Sequence, residues 1–222
     1  MSNASIPSVS TDPGSRAGRK PKGEGHVRRA EILAAAERIF VEHGYEGATI
    51  RKIADEVGLS STALYMHFSE KSEILHEICR GAFEQLISDN RKIMTDHGAP
   101  EDRLRAMLQA YVDFGFANPN AYRLIYLTRP VEARDGAEST AQQMGSELFR
   151  AIEDVLEEIS NAGRLKITDH RLAGQVLWGG VHGIVSLVIT KPYFDWSESS
   201  ALTRTMIDAL FVGLLRTCAR AS

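Results

Sequence analysis

Cysteine is scarce in this sequence: Cys79 and Cys218 are the only two in 222 residues. Two thiols cannot staple a fold, and their spacing is not that of a metal site, so each is expected to be buried or idle. Signatures of catalysis are missing as well. There is no HExxH, no GxSxG and no glycine-rich phosphate loop ending in Lys-Ser/Thr. Gly23-Glu24-Gly25 lacks a third glycine, and the seven histidines are dispersed. The chain is therefore not expected to be an enzyme, nor to need a metal or cofactor. Long apolar runs are lacking too. The longest apolar stretch free of charge, Val176 to Thr190, holds 15 residues and contains His182, whereas a membrane-spanning helix needs about 20. It reads as a buried helix. With no apolar signal region near the N-terminus, the expected location is cytoplasmic, with no membrane partner.

What is present is ordinary in amount and uneven in placement. A hydrophobic fraction of 43% and a charged fraction of 25% suit a soluble globular chain with residues enough for one or two domains. The net charge is −3. Yet between Gly14 and Arg29, Arg16, Arg19, Lys20, Lys22, Arg28 and Arg29 face Glu24 alone, a surplus of five that leaves −8 for the other residues. A basic end on an acidic body points to one face made for polyanions. Residues 1–15 are rich in Ser, Pro and small side chains, and Arg16 to Gly25 adds Pro21 and three glycines. Residues 1–26 are therefore expected to form a disordered basic arm. Arg19, Lys20 and Lys22 can enter a minor groove, where negative potential favours such side chains; a solubilising tail is the equal alternative.

The stretch Thr49 to Lys71 reads as two short helices joined by a tight turn. Thr49 can cap the first helix and Ser60 the second, each hydroxyl accepting a free N–H of the first turn. Ile53, Ala54 and Val57 share one face, as do Leu64 and Phe68. Gly58 supplies the turn. An earlier amphipathic helix, Val27 to His43, carries Ile32, Leu33, Ala36, Ile39 and Phe40 on one stripe, and Gly44 can end it. Ile32, Phe40, Ile53, Val57, Leu64 and Phe68 are the expected small core. Two helices around a Gly-containing turn form a helix-turn-helix pattern, whose second helix presents its first residues to a DNA major groove.

At fixed spacing the sequence carries Thr49, Ile53-Ala54, Gly58, Ser60, Leu64-Tyr65, His67-Phe68 and Lys71. In these positions it resembles the DNA-binding domain of the tetracycline-repressor (TetR) family, over Val27 to Leu75. Two departures stand out: Thr62 where many members have Gly, and Met66 where many have Tyr. The resemblance implies that Thr49 and Arg51 touch phosphate, with Arg51 able to reach a base. Ser60, Ser61, Thr62 and Ala63 would face the groove floor. Tyr65, His67 and Lys71 would hold phosphates, which position the domain without reading sequence. The implied partner is palindromic double-stranded DNA.

Beyond Ser69 the pattern predicts helices over Ser72 to Asp96, Glu101 to Ala117, Ala121 to Leu127, Glu138 to Ser160, Thr168 to Thr190 and Ser199 to Ala219. The expected fold class is all-α: a three-helix N-terminal domain over residues 27–71 and a helical bundle over 72–222, about nine helices in total. Gly179, Gly180 and Gly183 point to close approach by another helix. The run Leu177-Trp178-Gly179-Gly180-Val181-His182-Gly183 resembles the WHG type of C-terminal ligand domain. By resemblance, the last two helices make a four-helix bundle with a second subunit, giving a homodimer. A regulator also needs an effector site. Met107, Tyr111, Phe114, Tyr122, Tyr126, Phe149, Trp178 and His182 are the candidates, and they suit a small hydrophobic or aromatic molecule. The expected function is a ligand-responsive transcriptional regulator, most simply a repressor. The alternative is a DNA-binding protein whose C-terminal body only dimerises or docks a protein partner.

Overall fold

The computed structural model describes residues 24–96, 98–127 and 137–216, and among them every regular element is helical. In chain order these are α1 (Glu24–Gly47), α2 (Ile50–Glu56), α3 (Ser61–Tyr65), α4 (Lys71–Met94), α5 (Pro100–Ala117) and α6 (Pro119–Tyr122). A π-helical turn (Arg123–Leu127) follows, then α7 (Ala137–Asn161), α8 (His170–Thr190) and α9 (Ser199–Leu214). The all-α class and the count of nine agree with the sequence reading.

Local chemistry explains the boundaries. Thr49 Oγ1 accepts the Lys52 N–H at 3.2 Å and Ser60 Oγ accepts the Ala63 N–H at 3.1 Å, so both expected caps form. Between them Gly58 sits at φ 66°, and the chain closes on Leu59 N–H to Ala54 O at 2.8 Å. That bond is the signature of a helix end built on a left-handed residue.

Three boundaries differ from expectation. α1 begins at Glu24, so Glu24, Gly25 and His26, expected in the arm, are helical, and α1 carries a kink at Gly44 (φ 70°, ψ 167°). α9 ends at Leu214 instead of Ala219 because Leu215 turns extended and pairs antiparallel with Leu165. Lys166 N–H to Leu214 O and Arg216 N–H to Arg164 O, both 2.8 Å, then take over the backbone groups. Finally, Ala121 to Leu127 is not one α-helix but a short α6 running into a π-turn. The residues of the expected basic arm before Glu24, residues 128–136 and Cys218 lie outside the described residues.

Packing forms two cores that meet on α4. The N-terminal core holds Ile32, Phe40, Ile53, Leu64 and Phe68 as expected, with Val57 only partly buried. It also takes Ile74, Leu75, Ile78 and Cys79 from the head of α4, and Leu124 from the π-turn. The C-terminal core begins on the same helix at Leu86 and spans α5, α7, α8 and α9. The boundary expected at Lys71 is thus not a packing boundary: α4 is rooted in both cores.

α8 is long and apolar enough by length and composition to cross a bilayer, but here it packs on α5, α7 and α9. Of its three clustered glycines only Gly180 is closely approached. A Cβ there would lie 2.7 Å from Leu210 Cδ1 of α9, whereas one on Gly179 or Gly183 would meet nothing within 4 Å.

One side chain ties the N-terminal helices to α4. Arg29, on α1, donates to Glu77 from Nε (3.0 Å) and Nη2 (2.7 Å), and to Glu73 at 3.2 Å. It also donates to the His67 carbonyl just past α3 and stacks 3.9 Å from the centroid of the Phe68 ring. Arg28 is likewise engaged, with Glu31 at 2.6 Å. Of the six cations in the basic segment, Arg29 is therefore taken up internally, while Arg28 stays in an exposed surface pair. The Ser69 backbone N–H holds the Glu73 carboxyl below its ordinary 4.5, and Arg29 hydrogen bonds do the same for Glu77. Folding thus lowers both pKa values. Their contribution is complete above pH 4.5 and is lost as pH falls through the lower folded values. Arg29→Ala should cost about 2 kcal/mol, and the wild-type stability lost on acidification below pH 4.5 should shrink in the variant. Urea unfolding across pH 3–7 measures both.

Candidate functional site

The side chains at the exposed edge of the helix-turn-helix are uncovered. Thr62 and Met66 are exposed, Ser61 and Ala63 partly so, and Tyr65 keeps 54% of its surface. Arg51 is 85% exposed, with only a loose contact of 3.8 Å to Asp55. Thr49 and Ser60 use their oxygens to cap, which leaves each O–H free to donate outward. His67 is half-buried, and its carbonyl is held by Arg29. Thr49, Arg51, Ser60, Thr62 and Tyr65 are therefore open to solvent, with Ser61 and Ala63 partly so. Arg19, Lys20 and Lys22 lie outside the described residues.

Lys71 is the exception. Its ammonium turns inward and donates to Tyr45 O at 2.5 Å and Ala48 O at 3.1 Å, lying 4.0 Å from the Tyr45 ring centroid. These carbonyls belong to the junction of α1 and α2, where the helix break leaves backbone acceptors in need of donors. The expected phosphate contact is thus replaced by an internal tie.

In the C-terminal body, six of the eight effector candidates form one chain of rings. Tyr122 stacks on His182 with centroids 5.5 Å apart and lies 4.8 Å from Tyr126. Tyr126 meets His182 edge-on at 5.4 Å, and Trp178 lies 5.6 Å from His182 and 6.3 Å from Phe149. Tyr111 and Tyr122 converge with their hydroxyls on His182 Nδ1, at 2.9 and 2.5 Å, and on each other at 3.1 Å. Burial raises the pKa of Tyr111, Tyr122 and Tyr126 and lowers that of His182, so all four are neutral near pH 7. Met107 and Phe114 do not join the rings; both are buried in the C-terminal core. A groove of about 570 Å³ beside Glu84, Ile87, Ser88, Arg91, Lys92 and Thr95 of α4 is lined by none of the eight candidates.

The segment from Ala121 to Leu127 joins the rings to the reading unit. Tyr122 and Tyr126 enter the aromatic chain, while Leu124 between them is buried in the N-terminal core. Arg123 donates to Ile189 O near the end of α8 at 2.6 Å. From α1, the Glu37 carboxylate accepts the Ala121 N–H; burial nevertheless raises its pKa. Cys79 nearby is pushed up to about 12 by burial and by Glu37. It is the buried, unreactive thiol that was expected. Sequence reading missed Arg29, Glu37 and Leu124. Their charge and apolarity were visible, but their partners lie tens of residues away.

This architecture defines a class: all-helical proteins with an N-terminal helix-turn-helix on a larger helical body. Within that class, the chain belongs to the TetR family of regulators. Residues 32–78 match the family of bacterial regulatory proteins, tetR family, and residues 104–210 match the tetracyclin repressor-like C-terminal domain, a span that includes Trp178, His182 and Gly183. The transcriptional activator FasR of Mycolicibacterium smegmatis is 37% identical over 119 residues, 52% of this chain and 53% of that protein. The transcriptional repressor KstR2 of Mycobacterium tuberculosis is 36% identical over 88 residues, 40% of this chain and 44% of that protein. The chain thus spans about half the length of the curated relatives it matches. The solved structure of KstR2, a ketosteroid transcriptional regulator, covers 86% of this chain and 96% of its own at TM-score 0.72 and 23% identity. That of AibR in complex with isovaleryl coenzyme A and operator DNA covers 83% and 98% at TM-score 0.69 and 19% identity, a likeness of fold.

The inward turn of Lys71 has a measurable consequence. Lys71→Met should remove about 1 kcal/mol and lower Tm by about 3 °C, while the salt dependence of DNA binding stays within one phosphate contact of wild type. An unchanged Tm with a salt slope reduced by one contact would return Lys71 to the phosphates.

Proposed function

We propose that the protein is a homodimeric, sequence-specific DNA-binding transcriptional regulator, most simply a repressor released from a palindromic operator by a small hydrophobic or aromatic effector. The observation that carries this reading is the uncovered edge of α3, where Thr62 and Tyr65 are exposed on a unit whose opposite side is fully packed. In this reading Ser61, Thr62 and Ala63 select the site. Ser and Thr can bond several base edges, and the Thr62 methyl or Ala63 can meet a thymine methyl. Thr49, Arg51, Tyr65 and His67 hold phosphates, and Arg19, Lys20 and Lys22 serve as the basic arm. The effector resides among the rings of Tyr111, Tyr122, Tyr126, Phe149, Trp178 and His182.

The second subunit docks on α8 and α9. Leu172, Val176 and Leu187 of α8 are exposed, with open space at Gly179 and Gly183 between them, and Val212 of α9 is 72% exposed. These side chains form an apolar stripe that a second copy would cover. Two reading heads must sit about 34–36 Å apart, or a multiple of that, to use both half-sites. An effector regulates only by favouring one separation over another. α4 and the π-turn, each rooted in both cores, provide the link between ring cluster and reading head.

Retardation of palindromic DNA from near the gene tests the reading, with salt-sensitive binding expected. Tyr65→Phe should weaken binding alike on all sequences, by about 1 kcal/mol, and Thr62→Ala should alter preference at one base position. A Tyr65→Phe loss confined to a single base would contradict the phosphate role. Val176→Glu together with Val212→Glu should yield a folded monomer by sedimentation, with operator affinity reduced at least tenfold. A double variant that stays dimeric rejects the α8–α9 interface.

A further inference from the structure

Resting on the effector reading above, we propose that His182 Nε2–H is the recognition donor of the effector site. The ligand it takes is an uncharged molecule with a flat apolar body and one hydrogen-bond-accepting oxygen, such as a ketone, ester or thioester carbonyl. Tyr122 and Tyr111 are the positioning residues that hold the imidazole in that state.

The argument begins with the proton at Nδ1. Tyr122 Oη lies 2.5 Å from it and Tyr111 Oη 2.9 Å. Between a phenol and a neutral imidazole, the phenol is the stronger donor and the ring nitrogen the stronger acceptor, so a tyrosine proton points into Nδ1. A neutral ring that accepts at Nδ1 carries its hydrogen on Nε2. The remaining protons fall into place: Tyr111 donates to Tyr122 Oη at 3.1 Å, and the Tyr126 hydroxyl and Trp178 indole interact with Tyr111 Oη. The knot satisfies itself at Nδ1. Nε2–H has no hydrogen-bond partner among the described residues.

The surroundings set the ligand class. His182 is walled by the rings of Tyr122, Tyr126 and Trp178, all within 5.6 Å by centroid. Flat apolar bodies stack on such walls. Among the described residues no Lys or Arg hydrogen-bonds a member of the knot, and the guanidinium of Arg171 lies 5.5 Å from the Phe149 centroid. Arg123 is engaged by Ile189 O and Arg171 by Glu153, at 2.6 and 2.9 Å. A carboxylate at Nε2 would therefore be desolvated with no cation bonded to the knot among the described residues, which is costly, while a carbonyl loses little.

Three probes of one size separate the possibilities: 2-acetylnaphthalene, 2-ethylnaphthalene and 2-naphthoate, titrated into the full-length protein and followed by tryptophan emission and calorimetry. The ketone should bind about tenfold tighter than the hydrocarbon, the worth of one net hydrogen bond, and tighter than the carboxylate. His182→Phe should abolish the ketone preference, so that ketone and hydrocarbon bind alike. Tyr122→Phe should reduce the preference to about threefold. It should also mix the two ring tautomers, read by 15N NMR of the His182 imidazole, a signature that a merely structural tyrosine would not move. Equal binding of ketone and hydrocarbon, preference for the carboxylate, ketone preference surviving His182→Phe, or no binding of any probe each overturns the proposal. Operator retardation by the ligand-free protein is measured separately, so these failures are distinguishable from failure of the regulatory reading.

Discussion

The orientation of the reading helix depends on the Arg29 guanidinium. It meets three demands at once: a paired hydrogen bond to Glu77, a donor to the carbonyl that ends the α3 segment, and a flat face on Phe68. A lysine could supply the charge but not the fork and the plane together. α3 is only five residues long and cannot hold its own direction. Its angle is set by what grips its end, and that grip joins α1 to α4. The position of the exposed edge of α3 is thus decided by a side chain of α1 that grips the segment's end.

Elements whose information is local were legible in the sequence. The caps at Thr49 and Ser60, the turn at Gly58 and the core stripe from Ile32 to Phe68 follow from neighbours within five residues, and each forms as read. Long helices with one apolar face were legible for the same reason. Where two elements meet, local pattern guides less, because a polar residue does not announce its distant partner. Arg29 reads as a free cation of the basic segment and Lys71 as a phosphate ligand, and Glu37 carries no local sign of a partner. All three are internal contacts. The effector candidates divide likewise. Six share a ring cluster; Met107 and Phe114 lie outside it, in the same C-terminal core that buries Tyr111 and Tyr122.

α4 and the π-turn make one mechanical unit of two cores. Burying Leu124 in one core while its neighbours at 122 and 126 line the other leaves the segment little freedom to move alone. The low, apolar surroundings of Cys79 remove a further source of variation, since a thiol pushed up to about 12 is not a nucleophile at neutral pH. The reading head is therefore insulated from thiol chemistry and responsive to packing.

The π-turn also bears on how such a chain can change over generations. An i→i+5 turn accommodates one residue more than an α-turn. Deleting a single residue between Arg123 and Leu127 would let the segment relax into α-helix, and each later side chain would swing by about 100°. Tyr126 would then leave the rings while the caps, the α3 edge and the α8 stripe stayed intact. One codon thus separates two ways of joining the cores, a short mutational path by which a lineage could uncouple the ring cluster from the helix-turn-helix and keep both.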